Sequence, residues 1–122
     1  MGTTRTYMAE NQQADSQATL TVTAGADAAG GVLLTVAGAL DYHTAARFGA
    51  AVQRAYDEGA PAVTADLSRV GFTDSSGLAS LIRAHKAAHL AGRRFSLRGP
   101  DHNLRRILAV TGLDTVLDIT EA

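Results

Sequence analysis

One stretch decides the fold and raises the functional question: residues 62–78, which read AVTADLSRVGFTDSSGL. Its β-rich start, 62–67, predicts a strand, and the apolar spacing from Leu78 onward predicts a helix. Ser75 and Ser76 therefore lie where that helix begins, beside backbone N–H groups that lack partners and the positive end of the helix dipole. Such a turn can cap the helix, hold an anion or present a hydroxyl to another protein.

The rest of the chain alternates strands and helices around this stretch. Alternating apolar residues predict strands, a helical spacing predicts helices, and Gly or Pro marks their ends. The predicted strands cover residues 18–23, 32–40, 62–67, 95–97 and 116–119. The predicted helices run from cap candidates at 41–44 to 58, from 78 to 92 and from 101 to 112. The order β-β-α-β-α-β-α-β indicates an α/β domain with parallel strand pairs and an antiparallel first pair.

Length and composition favour a single globular domain. A chain of 122 residues, 46% of them apolar, suits one hydrophobic core. No run approaches the ~20 apolar residues that span a bilayer. Residues 1–16 are polar and predict a disordered N-terminal extension without a signal core, which leaves 17–120 as the domain. We therefore expect a cytoplasmic protein without a membrane segment.

Charge gives little drive toward nucleic acid, because the formal net charge is −1. Seven of the eleven basic residues nevertheless fall within 83–106, where only Asp101 opposes them. This run is either a solvated helical surface or a basic face for a partner or a lipid headgroup. Only one aromatic residue, Phe95, lies among these basic residues, which disfavours single-stranded nucleic acid as a partner.

The sequence lacks the usual signals of catalysis and of metal or cofactor binding. It has no cysteine, no phosphate-binding GxxxxGK[ST] loop and no GxGxxG, and DSSG is not the GxSxG of hydrolases. His43, His85, His89 and His102 are available, but the sequence places none of them beside Ser75. His85 and His89 have the spacing of metal ligands, without the glutamate of HExxH or an evident third ligand. We predict no catalytic residue, no metal and no cofactor.

Helix capping alone does not explain the composition of the turn. Thr73, Asp74, Ser75 and Ser76 are four cap-competent side chains, although one cap, worth ~1 kcal/mol, suffices. At least one hydroxyl is therefore expected to face solvent.

Residues 62–68, followed by 70–78, closely resemble the signature of anti-sigma factor antagonists of the STAS domain family. Residues 38–41, followed by Thr44 and Ala45, are similar to that family's second strand and first helix start. The similarity spans residues 18–119 and implies a mixed sheet of four to five strands with helices mainly on one face. Ala39 departs from the acidic residue of many relatives, which bears on the choice of partner.

The resemblance implies a bacterial partner-switching protein that regulates transcription, for instance in a stress response. An anti-sigma factor with serine kinase activity would bind the unphosphorylated form, releasing its sigma factor, and phosphorylate Ser75 rather than Ser76. A phosphatase would reset the switch, and ATP would belong to the kinase. The protein would be a monomer or weak dimer. The implied partner-binding residues are Asp41, His43, Thr44, Thr73, Asp74, Ser75, Ser76 and Gly77.

Two other interpretations stay open. The first is a constitutive STAS subunit of a lipid-transport or stress-signalling complex, whose serine turn would remain unphosphorylated. The second is an enzyme, which would need a histidine within hydrogen-bond reach of Ser75.

Overall fold

The described residues, 5–8 and 19–121 of this computed structural model, form a six-stranded sheet whose strand order follows the chain. The strands are β1 (Arg5–Met8), β2 (Leu20–Ala26), β3 (Val32–Leu40), β4 (Ala62–Thr73), β5 (Arg94–Arg98) and β6 (Asp118–Thr120). The helices are α1 (Ala45–Asp57), α2 (Ser75–Leu90) and α3 (His102–Thr111), and Leu113–Thr115 form a 3-10 turn.

The sheet is mixed, as the element order predicted. Strand β2 pairs antiparallel with both β1 and β3, whereas β3, β4, β5 and β6 form a parallel series. Parallel neighbours need a crossover connection, and α1, α2 and α3 provide these crossovers in turn. The predicted fold class and the order β-β-α-β-α-β-α-β from β2 onward are confirmed.

The hydrophobic core lies on one face of the sheet. Buried and half-buried residues alternate along β2 and the first half of β4, which is the period of a sheet covered on one side. Phe48 and Val52 of α1 and Leu104 and Leu108 of α3 contribute to this core. Phe48 also packs edge to face against Phe95 of β5, with ring centroids 6.5 Å apart. The helices thus lie mainly on one face, as predicted.

The first strand differs from the sequence prediction. We predicted disorder over 1–16, but Arg5–Met8 form β1, while the remainder of that range lies outside the described residues. The register pairs Arg5 with Ala24 and Met8 with Thr21. This pairing satisfies backbone groups of β2 that would otherwise form an open sheet edge. The sheet therefore has one strand more than the four to five expected.

Strand β4 also differs, because it continues to Thr73 rather than ending at residue 67. Its pairing with β3 shifts register twice, between Thr35 and Ala37 and between Gly38 and Ala39 of β3. At each shift β4 advances by one residue more than β3, which defines a bulge in β4. Pairing with β3 therefore carries the strand through a segment that local polarity marked as a turn.

The boundaries of one helix and one further strand also differ from the predicted ones by a few residues. Helix α2 begins at Ser75, three residues before the predicted Leu78, because Asp74 caps it. Strand β6 covers Asp118–Thr120 instead of 116–119, because Leu113–Thr115 form a 3-10 turn and the Leu117 N–H bonds back to the Leu113 carbonyl at 2.8 Å.

Candidate functional site

Two loops converge where the parallel strands β3 and β4 end. The β3–α1 loop contains residues 41–44, and the β4–α2 turn contains residues 74–77. Leu40 pairs with Thr73 at the end of the ladder, so both loops leave the same edge of the sheet side by side. Such edges, at the carboxyl ends of parallel strands, are where α/β proteins place binding residues.

Asp74 joins the two loops through its carboxylate. Its Oδ1 accepts a hydrogen bond from the Gly77 N–H at 2.9 Å, which caps α2. Its Oδ2 accepts a hydrogen bond from the Tyr42 N–H of the β3–α1 loop at 3.1 Å. The Gly77 hydrogen bond is the main cause that lowers the pKa of the Asp74 carboxyl; desolvation opposes it and the Tyr42 hydrogen bond adds to it. The charged form of Asp74 therefore holds the site together.

Ser75 is the first residue of α2, and its side chain is exposed. Within the described part of the chain, its hydroxyl makes no hydrogen bond, because Asp74 performs the capping. Ser76 is half-buried one residue further into the helix. The expectation of a solvent-facing hydroxyl in this turn is met at Ser75. The choice of Ser75 over Ser76 as the modified residue stays a prediction.

Gly77 allows α2 to start close to β3. A Cβ built on Gly77 would overlap the Leu40 carbonyl oxygen, so any side chain would push the first turn of α2 away. Gly77 itself is buried. Gly77 therefore holds the turn in place, and its role as a partner-binding residue stays a prediction.

The β3–α1 loop is fixed by a compact set of hydrogen bonds. Asp41 Oδ1 accepts from the N–H groups of His43 and Thr44 at 2.9 and 3.2 Å. In return, Thr44 Oγ1 accepts from the Asp41 N–H at 2.9 Å and donates to the Ala39 carbonyl at 2.7 Å. The role of Thr44 in partner binding stays a prediction, and in this structure Thr44 is fully buried. It supports the loop from inside.

Two aromatic side chains that the sequence analysis did not select border this site. Tyr42 is 77% exposed and its ring meets that of His43 edge to face, with centroids 5.4 Å apart. Phe72 is 57% exposed. Strand alternation would put Phe72 on the buried side with Val70, but the bulge at Gly71 turns it to the opposite side. Only the strand register, which is not local in sequence, reveals this exposure.

The predicted residues thus separate into two groups. Asp41, His43, Thr73, Asp74, Ser75 and Ser76 lie in or beside the two loops at the end of β3 and β4. His85 lies ten residues after Ser75 in the same helix, about 15 Å along its axis, and His89 lies further still. The rings of His85 and His89 stack at 6.2 Å. No histidine hydrogen-bonds to Ser75 in the described residues.

Two arginines of the basic run, Arg93 and Arg105, contact other residues of the domain. The Arg93 guanidinium donates to the carbonyls of Tyr56 and Ala60 at 2.6 and 3.0 Å and lies over the Tyr56 ring. Burial raises the pKa of Tyr56 to about 12, against the opposing charge of Arg93. Arg105 pairs with Glu121 at 3.0 Å. Arg93 thus links residues from distant parts of the chain, whereas the exposed Arg105–Glu121 pair adds little stability. Neither interpretation of the remaining basic residues is tested by these contacts.

Residues 5–8 and 19–121 contain no group of three or more His, Asp or Glu side chains arranged to hold a metal ion. None of their helices is long and apolar enough to cross a membrane.

Solved structures of similar fold include two at 26% sequence identity. One is an anti-sigma factor antagonist from Mycobacterium paratuberculosis, with a TM-score of 0.73 over 84% of this chain and 86% of that one. The other is the protein TM1081 from Thermotoga maritima, with a TM-score of 0.69 over 75% of this chain and 79% of that one.

The phosphorylated form of the Bacillus cell fate determinant SpoIIAA has the same fold. It is 22% identical, with a TM-score of 0.65 over 83% of this chain and 90% of that one. The family model described as "Mlab, STAS domain" matches residues 24–119, which is most of the chain. This match includes the strand, turn and helix around Ser75, and the chain belongs to the STAS domain family.

Proposed function

We propose that this STAS domain is an anti-sigma factor antagonist whose binding is controlled at Ser75. The unphosphorylated form binds an anti-sigma factor that is also a serine kinase, and the sigma factor is released. Phosphorylation of Ser75 ends this binding, and a phosphatase restores it. The observation that carries the proposal is the exposed hydroxyl of Ser75, which has no capping role because Asp74 performs it.

The geometry favours modification without unfolding. A phosphate brings about −1.5 to −2 charges and three acceptor oxygens, and a helix N-terminus stabilises such an anion. No hydrogen bond to another described residue has to break when the Ser75 hydroxyl is esterified. We therefore expect the phosphorylated domain to keep its fold.

The same phosphate changes the surface that a partner meets. It would stand beside the carboxylate of Asp74, and the loop of Asp41 lies next to that turn. Like charges brought together, or a dianion stripped of water, cost several kcal/mol in an interface. About 4 kcal/mol corresponds to roughly a thousandfold in affinity. Binding should therefore respond to phosphorylation far more than folding does.

The proposed contact surface is smaller than the sequence suggested. It comprises Asp41, His43, Thr73, Asp74, Ser75 and Ser76, while Thr44 and Gly77 position the two loops from inside. ATP and the catalytic base belong to the kinase, so the domain acts as a binding module and not as an enzyme. The likeness to the Mycobacterium antagonist supports this role, and we place the protein in the bacterial cytoplasm as a monomer or weak dimer.

Phosphosite mapping tests the proposal directly. The purified protein is incubated with ATP and each anti-sigma factor kinase of the same genome, and the phosphorylated residue is identified by mass spectrometry. We expect phosphate on Ser75 in the wild type and in Ser76→Ala, and none in Ser75→Ala. Phosphate on Ser76 with Ser75 unmodified would show that the site is assigned wrongly.

A constitutive STAS subunit of a lipid-transport or stress-signalling complex is the second candidate. One observation favours it: the family model that matches residues 24–119 is named "Mlab, STAS domain", and this name does not mention anti-sigma factors. This candidate requires stable co-purification with a larger complex, no phosphate on Ser75 after kinase treatment and, in the presence of ATP, equal partner affinity for wild type and Ser75→Ala. The first candidate requires the opposite on all three.

A further inference from the structure

The exposed aromatic side chains of this domain are concentrated at the serine turn. Residues 19–121 contain five Phe and Tyr side chains and no Trp. Phe48, Tyr56 and Phe95 are buried in the core, whereas Tyr42 and Phe72 are 77% and 57% exposed. Both exposed rings border the turn that carries the proposed phosphorylation site.

The backbone of both aromatic residues is fixed. The Tyr42 N–H bonds to Asp74 Oδ2 at 3.1 Å, and its neighbour Asp41 is tied to Thr44 by reciprocal hydrogen bonds. Phe72 is paired with Ala39 in the β3–β4 ladder, beyond the bulge that turns it outward. Rings presented from a fixed backbone lose little conformational freedom when a partner covers them, which favours tight binding.

Both rings also fall within reach of any protein that acts on Ser75. Phe72 precedes Ser75 by three residues, so their Cα atoms are at most about 11 Å apart. Tyr42 is hydrogen-bonded to the residue next to Ser75. A standard interface covers about 800 Å² on each partner, equivalent to a disc of roughly 16 Å radius. The backbones of Tyr42 and Phe72 therefore lie within the radius of an interface centred on Ser75.

We propose that Tyr42 and Phe72 are the apolar anchors by which the anti-sigma factor kinase binds this domain. This inference rests on the proposed function and adds the residues that supply the affinity. Aromatic side chains near the centre of an interface are the usual carriers of binding energy. The kinase must then offer apolar pockets for these two rings near its Ser75 subsite. A phosphate on Ser75 weakens binding because the anchors cannot be buried without also desolvating the phosphate.

The test measures the affinity of the purified kinase for a matched set of full-length variants. Tyr42→Ala and Phe72→Ala remove each anchor, while Tyr42→Phe and Phe72→Tyr keep the ring. Leu90→Ala and Val110→Ala are controls, because these side chains are 87% and 81% exposed, Leu90 at the opposite end of α2 from the turn and Val110 near the end of α3. Thermal midpoints identify any variant with a disturbed fold, and where one alanine variant is disturbed, the alanine substitution of the other ring decides.

We expect each anchor removal to weaken kinase binding about 10- to 30-fold, with the ring-keeping variants and the controls close to wild type. In the phosphorylated protein the same removals should cost less than about twofold, because the anchors are no longer buried. If Tyr42→Ala and Phe72→Ala both bind the kinase with wild-type affinity and are still phosphorylated on Ser75, the anchor proposal is wrong and the proposed function stands. A wild type that binds none of the kinases overturns the proposed function and the anchors with it. If the removals instead abolish self-association and leave kinase binding unchanged, the two rings bind a second copy of the chain and the proposal is wrong.

Discussion

Replacing Asp74 should destabilise the domain and separate its two loops. The carboxylate caps α2 through the Gly77 N–H and also accepts the Tyr42 N–H of the β3–α1 loop. Loss of an N-cap costs ~1 kcal/mol, and loss of the second hydrogen bond costs ~1 kcal/mol more. We expect Asp74→Ala to lower the free energy of unfolding by about 2 kcal/mol, which corresponds to roughly 5–10 °C in thermal midpoint for a domain of this size.

Asp74→Asn separates the two contributions. Its amide oxygen can still accept from the Gly77 N–H, but its NH₂ group would face the N–H of Tyr42, which is also a donor. The loss should therefore be about 1 kcal/mol, half that of Asp74→Ala. Asp114→Asn, at an exposed carboxylate of the 3-10 turn, is the matched control and should change the free energy by less than ~0.5 kcal/mol.

The contribution of Asp74 should also depend on pH. Its hydrogen bonds lower the pKa of the native carboxyl below the usual 3.8. A group of this kind contributes its full stability above the pKa of the unfolded chain and loses it as pH falls through the lower native pKa. The gap between wild type and Asp74→Asn, measured by urea unfolding at stepwise lower pH, should therefore be constant near neutrality and narrow below about pH 4. A gap that stays constant down to about pH 2, or no gap at neutral pH, would refute this role of the carboxylate.

Three further outcomes follow from the same geometry. Gly77→Ala should lower the free energy of unfolding by about 2 kcal/mol or more, because the added Cβ would overlap the Leu40 carbonyl of β3. Gly49→Ala, in open space on α1, should raise that free energy by about 0.5–1 kcal/mol. Equal urea midpoints for the two variants would contradict this. Ser75→Asp should leave the thermal midpoint within a few degrees of wild type but weaken kinase binding, and Ser75→Ala should bind persistently and resist release by ATP. His43→Ala should bind the kinase somewhat less tightly and His85→Ala should alter stability alone, with Ser75 phosphorylation largely intact in both; ester hydrolysis that needs Ser75 and either histidine would favour the enzyme instead.

The parts of the fold that depend on local periodicity could be predicted from the sequence. Helical spacing predicted a helix ending at residue 58, and α1 covers Ala45–Asp57. The residues that α1 buries with this spacing are Ala45, Phe48, Ala51, Val52 and Ala55. Asp101 and Gly112 were expected to bound α3, and they are its N-cap and C-cap. In each case the residue acts within one or two turns of its own position in the chain.

Features that depend on pairing between distant residues could not be predicted in this way. Nothing local in Arg5–Met8 distinguishes a strand from a disordered tail, because the strand is completed only by β2. The bulge at Gly71 likewise exists only relative to β3, and it decides the exposure of Phe72. From the sequence, four side chains of the turn could have capped α2. Asp74 is the one that does so, and it also accepts a hydrogen bond from the Tyr42 N–H, which is distant in sequence.

Asp74 and Ser75 have different structural roles, so mutations of these two residues test different properties of the turn. Asp74 holds two backbone donors, so a variant that weakens kinase binding by changing Asp74 can act through displaced loops as well as through a lost contact. Ser75 has an exposed hydroxyl without a partner in the described residues, so its substitution leaves those loops where they are. A loss of binding at Ser75 with an unchanged thermal midpoint therefore reports on the interface itself. Changes at Asp74 report on how that interface is held in shape.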